Sequence, residues 1–142
     1  MKNYILSTVI LLFTLQSVKS QSDYSEVENT LQNYINGSSY NKLDVLESAF
    51  TKNATLYLTA KKGFKVFTPK EYVAFFKNNE PGKFNGRNGK VLAVELVQDI
   101  ATAKVEISIP KREMVYIDLF LLKKTNNGWK IISKTATKME NL

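Results

Sequence analysis

Apolar residues along this chain recur first at helical spacing and later at strand spacing. Val27, Leu31, Tyr34 and Ile35 return at three- and four-residue steps, which predicts an amphipathic helix opened by a Ser25–Glu28 capping box and stopped at Gly37. Leu43, Leu46, Ala49 and Phe50 share one face of a second helix predicted over 42–50, which leads into a strand over 54–59. Lys61-Lys62-Gly63 turns the chain into a short returning strand over 64–67. Thr68-Pro69-Lys70-Glu71 is a second capping box with proline at the first helical position, so a third helix is expected over about 69–77. The polar stretch 78–89, with Pro81, Gly82, Gly86 and Gly89, reads as a loop and a candidate flexible lid.

Beyond that loop the period drops to two. Strands are predicted over 91–97 and 101–109, joined at Gln98-Asp99, then over 115–123 after Pro110-Lys111-Arg112, and finally over 129–139. Val105, Ile107 and Ile109 alternate with Lys104, Glu106 and Ser108, which leaves that strand one wet face. In the next strand, Tyr116, Asp118, Phe120 and Leu122 fall on one side and Val115, Ile117, Leu119 and Leu121 on the other, so both faces are expected to be covered. Asn126-Asn127-Gly128 supplies residues that tolerate positive φ at a tight hairpin turn. The order of elements predicts an α+β fold with helices packed on one face of a curved antiparallel sheet.

The N-terminus tells a different story. Residues 1–20 combine Lys2, an apolar core from Ile5 to Leu15 and small or polar residues before Ser20, the layout of a secretory signal peptide cleaved ahead of Gln21. The apolar run is short for a bilayer span of about 20 residues, so no stable membrane insertion is expected after cleavage; an uncleaved anchor is the alternative. Export to the periplasm or the medium follows, with 21–142 as one domain. The chain has no cysteine and no histidine, which excludes disulfides, thiolate or imidazole metal sites and catalysis by either group. No cofactor is implied. Twenty basic residues include Lys2 and Lys19, so the mature part carries 18 against 13 acidic, a net +5. Eight of the basic residues lie between Lys61 and Lys90, which reads as a solvated basic face or, less simply, a surface for an anionic ligand or the cell envelope. An exported chain whose aromatics are spaced for packing is not expected to bind nucleic acid.

The phrases Tyr34-Ile35-Asn36-Gly37, Leu46-Glu47-Ser48-Ala49-Phe50, Ala54-Thr55-Leu56, Val94-Glu95 to Lys104-Val105, and Tyr116-Ile117-Asp118 to Gly128-Trp129-Lys130-Ile131-Ile132-Ser133-Lys134 together resemble the nuclear transport factor 2 superfamily. Within it the chain is most similar to the bacterial proteins called putative lumazine-binding, over about 25–139. The resemblance implies a cone-shaped α+β fold in which a strongly bent sheet wraps the N-terminal helix and leaves an apolar cavity at the open end. The superfamily includes ketosteroid isomerase, scytalone dehydratase, polyketide cyclases and many domains without catalysis, so the fold alone decides little about function. Members of the lumazine-binding group commonly carry histidine after the phenylalanine that ends the second helix; here Phe50 is followed by Thr51-Lys52-Asn53.

Asp118 leads the candidate site residues, because a carboxylate between Tyr116 and Phe120 on a covered strand face would be desolvated and able to act as base or as protonated donor. The competing reading pairs it with a backbone amide or a lysine such as Lys134. Tyr34 is next: its hydroxyl could donate to a carbonyl or enolate, as the resemblance to the isomerase implies, or simply sit in the core. Tyr57, Tyr72, Tyr116, Phe120 and Trp129 are candidate lining residues, with plain packing as the alternative for each. The strand after the second helix offers Thr55, Tyr57 and Thr59 and no acid, which argues against enolate chemistry by the isomerase route. The leading functional expectation is therefore an exported, noncatalytic domain binding a small apolar or aromatic molecule. The alternatives are an isomerase, dehydratase or cyclase using Asp118 and Tyr34, and a homodimeric interaction domain.

Overall fold

The computed structural model describes the backbone of residues 2–60 and 63–140, with side chains for 21–59 and 63–140. The export-signal reading rests on side chains outside the described residues, as do Lys61 and Lys62 of the predicted turn. Helix α1 (Lys2–Ser39) is followed by α2 (Leu43–Ser48), β1 (Phe50–Ala60), β2 (Gly63–Phe67) and α3 (Pro69–Val73), which tightens into a 3₁₀ turn through Phe76. The long strands β3 (Asn88–Val97), β4 (Ile100–Ile109), β5 (Met114–Thr125) and β6 (Gly128–Lys138) complete the chain. Their order in the single open sheet is β2-β1-β6-β5-β4-β3. The sheet is mixed: β1 runs parallel to β6, whereas the remaining neighbours are antiparallel, as expected. A parallel neighbour needs a crossover, and α3 with the following loop and meander supplies it.

Two helix ends differ from expectation for physical reasons. Helix α1 runs straight through Ser25, so that residue caps nothing, and through Gly37 to Ser39. A Cβ on Gly37 would lie 2.5 Å from the backbone nitrogen of Leu46, so this glycine is the place where α2 touches α1. The stop is Asn41, in the left-handed region at φ 56°. There the Lys42 amide closes back on the Gly37 carbonyl at 2.9 Å, the long hydrogen bond of a Schellman ending. The Thr68–Glu71 capping box is formed on both sides, with Thr68 N donating to Glu71 Oε2 at 2.7 Å and Glu71 N to Thr68 Oγ1 at 3.3 Å.

Bulges bend the sheet around α1. β3 is irregular between Val91 and Ala93, and the β5–β6 register slips between Leu121 and Leu122, so that Phe120 pairs with Lys134 while Leu122 pairs with Ile131. The concave face packs on α1 and α2 through Val27, Leu31, Tyr34 and Leu46 on the helices and Leu56, Val105, Ile107, Leu122, Trp129 and Ile131 on the strands, all 0–2 % exposed. Each such aliphatic side chain contributes about 1.5–3 kcal/mol on burial. The convex face is a correction: Leu119 and Leu121 are 47 % and 39 % exposed, so within one chain β5 is covered on one side only.

Candidate functional site

The concave face ends in a cavity of about 550 Å³ between α3, its 3₁₀ extension, the last residues of β1 and β6 and the first residues of β5. Its walls are Leu58, Tyr72, Phe75, Phe76 and Tyr116; its floor is polar, formed by Tyr72, Arg87, Asp118 and Lys134. Asp118 reaches the floor by strand alternation. Lys134 reaches it because of the β6 bulge: alternation continued from buried Ile131 would have turned Ser133 inward, and the extra residue brings Lys134 beside Phe120 instead.

Two buried charges therefore meet. Lys134 Nζ lies 3.0 Å from Asp118 Oδ1, with both side chains 2 % exposed. Tyr34 donates its hydroxyl to Asp118 Oδ2 at 2.6 Å, and its oxygen stands 2.8 Å from that of Tyr72. A carboxylate only accepts, so the single Tyr34 proton is committed to Asp118 and the Tyr72 hydroxyl must be the donor in the second bond. Burial first, and the negative charge of Asp118 second, push the Tyr34 hydroxyl well above the usual tyrosine range, so it stays a donor. The Lys134 ammonium also lies 5.5 Å from the centre of the Tyr72 ring and 5.8 Å from those of Tyr34 and Phe120.

Arg87 closes the floor from the 78–89 loop. Its Nη2 donates to Tyr34 Oη at 3.1 Å and Tyr72 Oη at 3.5 Å, its Nε to Ser38 Oγ at 3.3 Å, and it stands 3.8 Å from Asp118 Oδ2. Burial opposes its charge, but Tyr72, Tyr34 and Asp118 together outweigh that and hold its pKa above the ordinary arginine value. The loop that carries it is tied down, contrary to the lid expectation. Asn41 Nδ2 donates to the carbonyls of Glu80 and Lys83, Asn85 Nδ2 to Ser38 O and Asn41 Oδ1, and the amides of Gly82 and Asn85 to Tyr40 O and Ser39 O.

Of the residues singled out in the sequence, Tyr72, Tyr116 and Asp118 line the cavity. Tyr34 and Phe120 lie directly beneath the floor, their rings 4.9 Å apart. Tyr57 and Trp129 are corrections. Tyr57 projects from the convex side of β1 and stacks on Phe64 at 6.0 Å. Trp129 is buried near the β5–β6 turn, where its Nε1 donates to Asp23, which also pairs with Lys124. Arg87, one of the eight basic residues between Lys61 and Lys90, lines the cavity rather than a solvated face; nothing in its neighbourhood in sequence signals that, since the contact depends on where the loop is pinned. Among the described residues, no group of three or more carboxylates could hold a metal ion, and no helix is long and apolar enough to cross a membrane.

This is the architecture of a nuclear transport factor 2-like domain: an open curved sheet around a helix, with a polar-floored cavity at its wide end. Residues 22–136 match the family described as Putative lumazine-binding, and the chain belongs to that family. Among solved structures it is similar to three nuclear transport factor 2-like proteins of unknown function. That of Shewanella baltica OS155 is 16% identical with a TM-score of 0.72 over 84% of this chain and 96% of the other. The protein of Silicibacter pomeroyi DSS-3 is 15% identical, TM-score 0.74, over 84% and 98%. The third, from Methylobacillus flagellatus KT, is 23% identical, TM-score 0.72, over 84% and 94%. At these identities the likeness concerns the fold. No curated protein matches this chain.

Proposed function

We propose that the chain is an exported small-molecule-binding domain that holds a planar, largely apolar ligand without converting it. The observation that carries this is the cavity itself: about 550 Å³, a size suited to a small molecule, with aromatic walls above convergent polar groups. The family description names lumazine, a flat bicyclic heteroaromatic, and Tyr72, Phe75, Phe76 and Tyr116 offer ring faces and edges to that class. Binding rather than turnover is favoured because both oxygens of Asp118 are already engaged, one by Lys134 and the other by Tyr34. Export is supported by the basic start and apolar run near the N-terminus. Mass spectrometry of the protein purified natively, with thermal-shift screening against lumazines, flavins and steroids, tests the reading. A retained or stabilising ligand that leaves unchanged supports it; turnover of that ligand overturns the noncatalytic part, and a cavity indifferent to all classes overturns the whole.

A second reading, homodimerisation through the convex face, is favoured by the exposed side chains Leu92, Ile100, Leu119 and Leu121. Analytical ultracentrifugation of the wild type and of Leu119→Lys/Leu121→Glu tests it: a dimer that the double variant dissociates is the expected result, and a wild-type monomer refutes it.

A further inference from the structure

Resting on the binding reading, we infer that the ligand is an aromatic monoanion whose negatively charged oxygen group is received by Arg87, with Lys134 and the Tyr72 hydroxyl beside it. The charges at the cavity do not balance. Among the described residues its lining contains Arg87, Lys134 and Lys138 against one carboxylate, Asp118. Asp118 is already matched to Lys134 at 3.0 Å and accepts from Tyr34 at 2.6 Å, whereas its nearest approach to Arg87 is 3.8 Å. The hydrogen-bond acceptors of Arg87 within 3.5 Å are neutral hydroxyls, those of Ser38, Tyr34 and Tyr72.

Among the described residues no anion is in hydrogen-bond contact with this guanidinium, 14 % of whose side chain is exposed; its nearest carboxylate, Asp118 at 3.8 Å, is shared with the closer Lys134, so two buried cations meet one anion and a second negative charge is wanting. A planar oxyanion entering from the cavity would supply that charge with the fork geometry arginine prefers. The Tyr72 proton, given to Tyr34 Oη in this structure, is free to turn toward such a group, since Tyr34 would still accept from Arg87 at 3.1 Å. Arg87 also lies over the Phe76 ring, 5.9 Å from its centre, so a ring seated against Phe76 places its acidic substituent at the guanidinium. An acidic aromatic ring system therefore fits, and a neutral one of the same shape leaves the cation unmet.

Calorimetric titration of the purified protein with 2-naphthoate and with the uncharged isostere 2-naphthamide separates the two. The expected result is binding of naphthoate at least about tenfold tighter than naphthamide, one charge-assisted hydrogen bond being worth about that or more. In Arg87→Gln the advantage of naphthoate over naphthamide should largely vanish. If that variant does not fold, Arg87→Lys carries the test, with a several-fold loss expected for naphthoate alone. Equal affinities, or a preference that survives loss of Arg87, would overturn the anion inference and leave the cavity reading standing. Failure of both probes to bind at millimolar concentration would overturn the two together.

Discussion

Lys134 and Asp118 are paired at 3.0 Å in a site where each is 2 % exposed, and the pair exists only because β6 gains a residue relative to β5 just before Lys134. Removing one member leaves the other charged and desolvated, at a cost of about 3–5 kcal/mol. Asp118→Ala is expected to lose that much in urea denaturation. The double replacement Asp118→Leu/Lys134→Met should lose far less than the sum of the single ones, and additivity of the two would refute the coupling.

Alkaline stability should report on Tyr34. Its hydroxyl is held well above the usual tyrosine range by burial and by Asp118, so the unfolded chain gives up this proton first. Its contribution is therefore complete below about pH 10 and is lost as pH rises beyond it, by up to about 1.4 kcal/mol per pH unit. Tyr34→Phe lacks that component. Its urea midpoint should fall less than that of the wild type between about pH 9 and 11, and parallel losses would show that Tyr34 ionises freely in the folded state.

Gly37 sits in the middle of a helical turn, where alanine is ordinarily better by about 1 kcal/mol. Here the added methyl would stand 2.5–2.7 Å from the backbone and Cβ of Leu46, and a backbone cannot step aside as a side-chain tip can. Gly37→Ala is expected to destabilise by about 1–3 kcal/mol; a higher melting temperature would show that α1 and α2 can part without cost.

Asn41 performs two jobs that substitution can separate. Asn41→Gly keeps a residue at ease at φ 56° but loses the side-chain bonds to Glu80, Lys83 and Asn85. Hydrogen exchange should quicken at the Gly82 and Asn85 amides while the end of α1 stays protected. Asn41→Ala adds backbone strain of about 1–2 kcal/mol. Unchanged exchange in Asn41→Gly would mean that the loop is held by its backbone bonds alone.

Much of this was legible residue by residue. The helical face Val27, Leu31, Tyr34, Ile35 is the face that is buried, the Thr68 capping box forms, and the inward row Tyr116, Asp118, Phe120, Leu122 follows alternation, because helical and strand periods are local consequences of backbone geometry. The order of those elements gave the α+β class, and the nuclear transport factor 2-like fold came from the resemblance carried by that order together with phrases such as Tyr116-Ile117-Asp118 and Gly128-Trp129-Lys130. Glycine at 37 misled as a stop signal because close packing selects the same residue as a helix end does. The convex side of β5 misled because alternation reports which residues share a face and is silent on what covers it.

Where local periods applied, then, the amino-acid sequence by itself determined the elements, the buried stripe of α1, the orientation of Asp118 and the absence of thiol and imidazole chemistry. Tertiary structure alone decided the company Asp118 keeps. A one-residue bulge turns Lys134 inward, and a loop pinned by Asn41 and Asn85 delivers Arg87 from 31 positions away in the chain. Neither is written in a local period, because bulges and loop anchorage depend on how distant segments compete for the same backbone and side-chain hydrogen bonds.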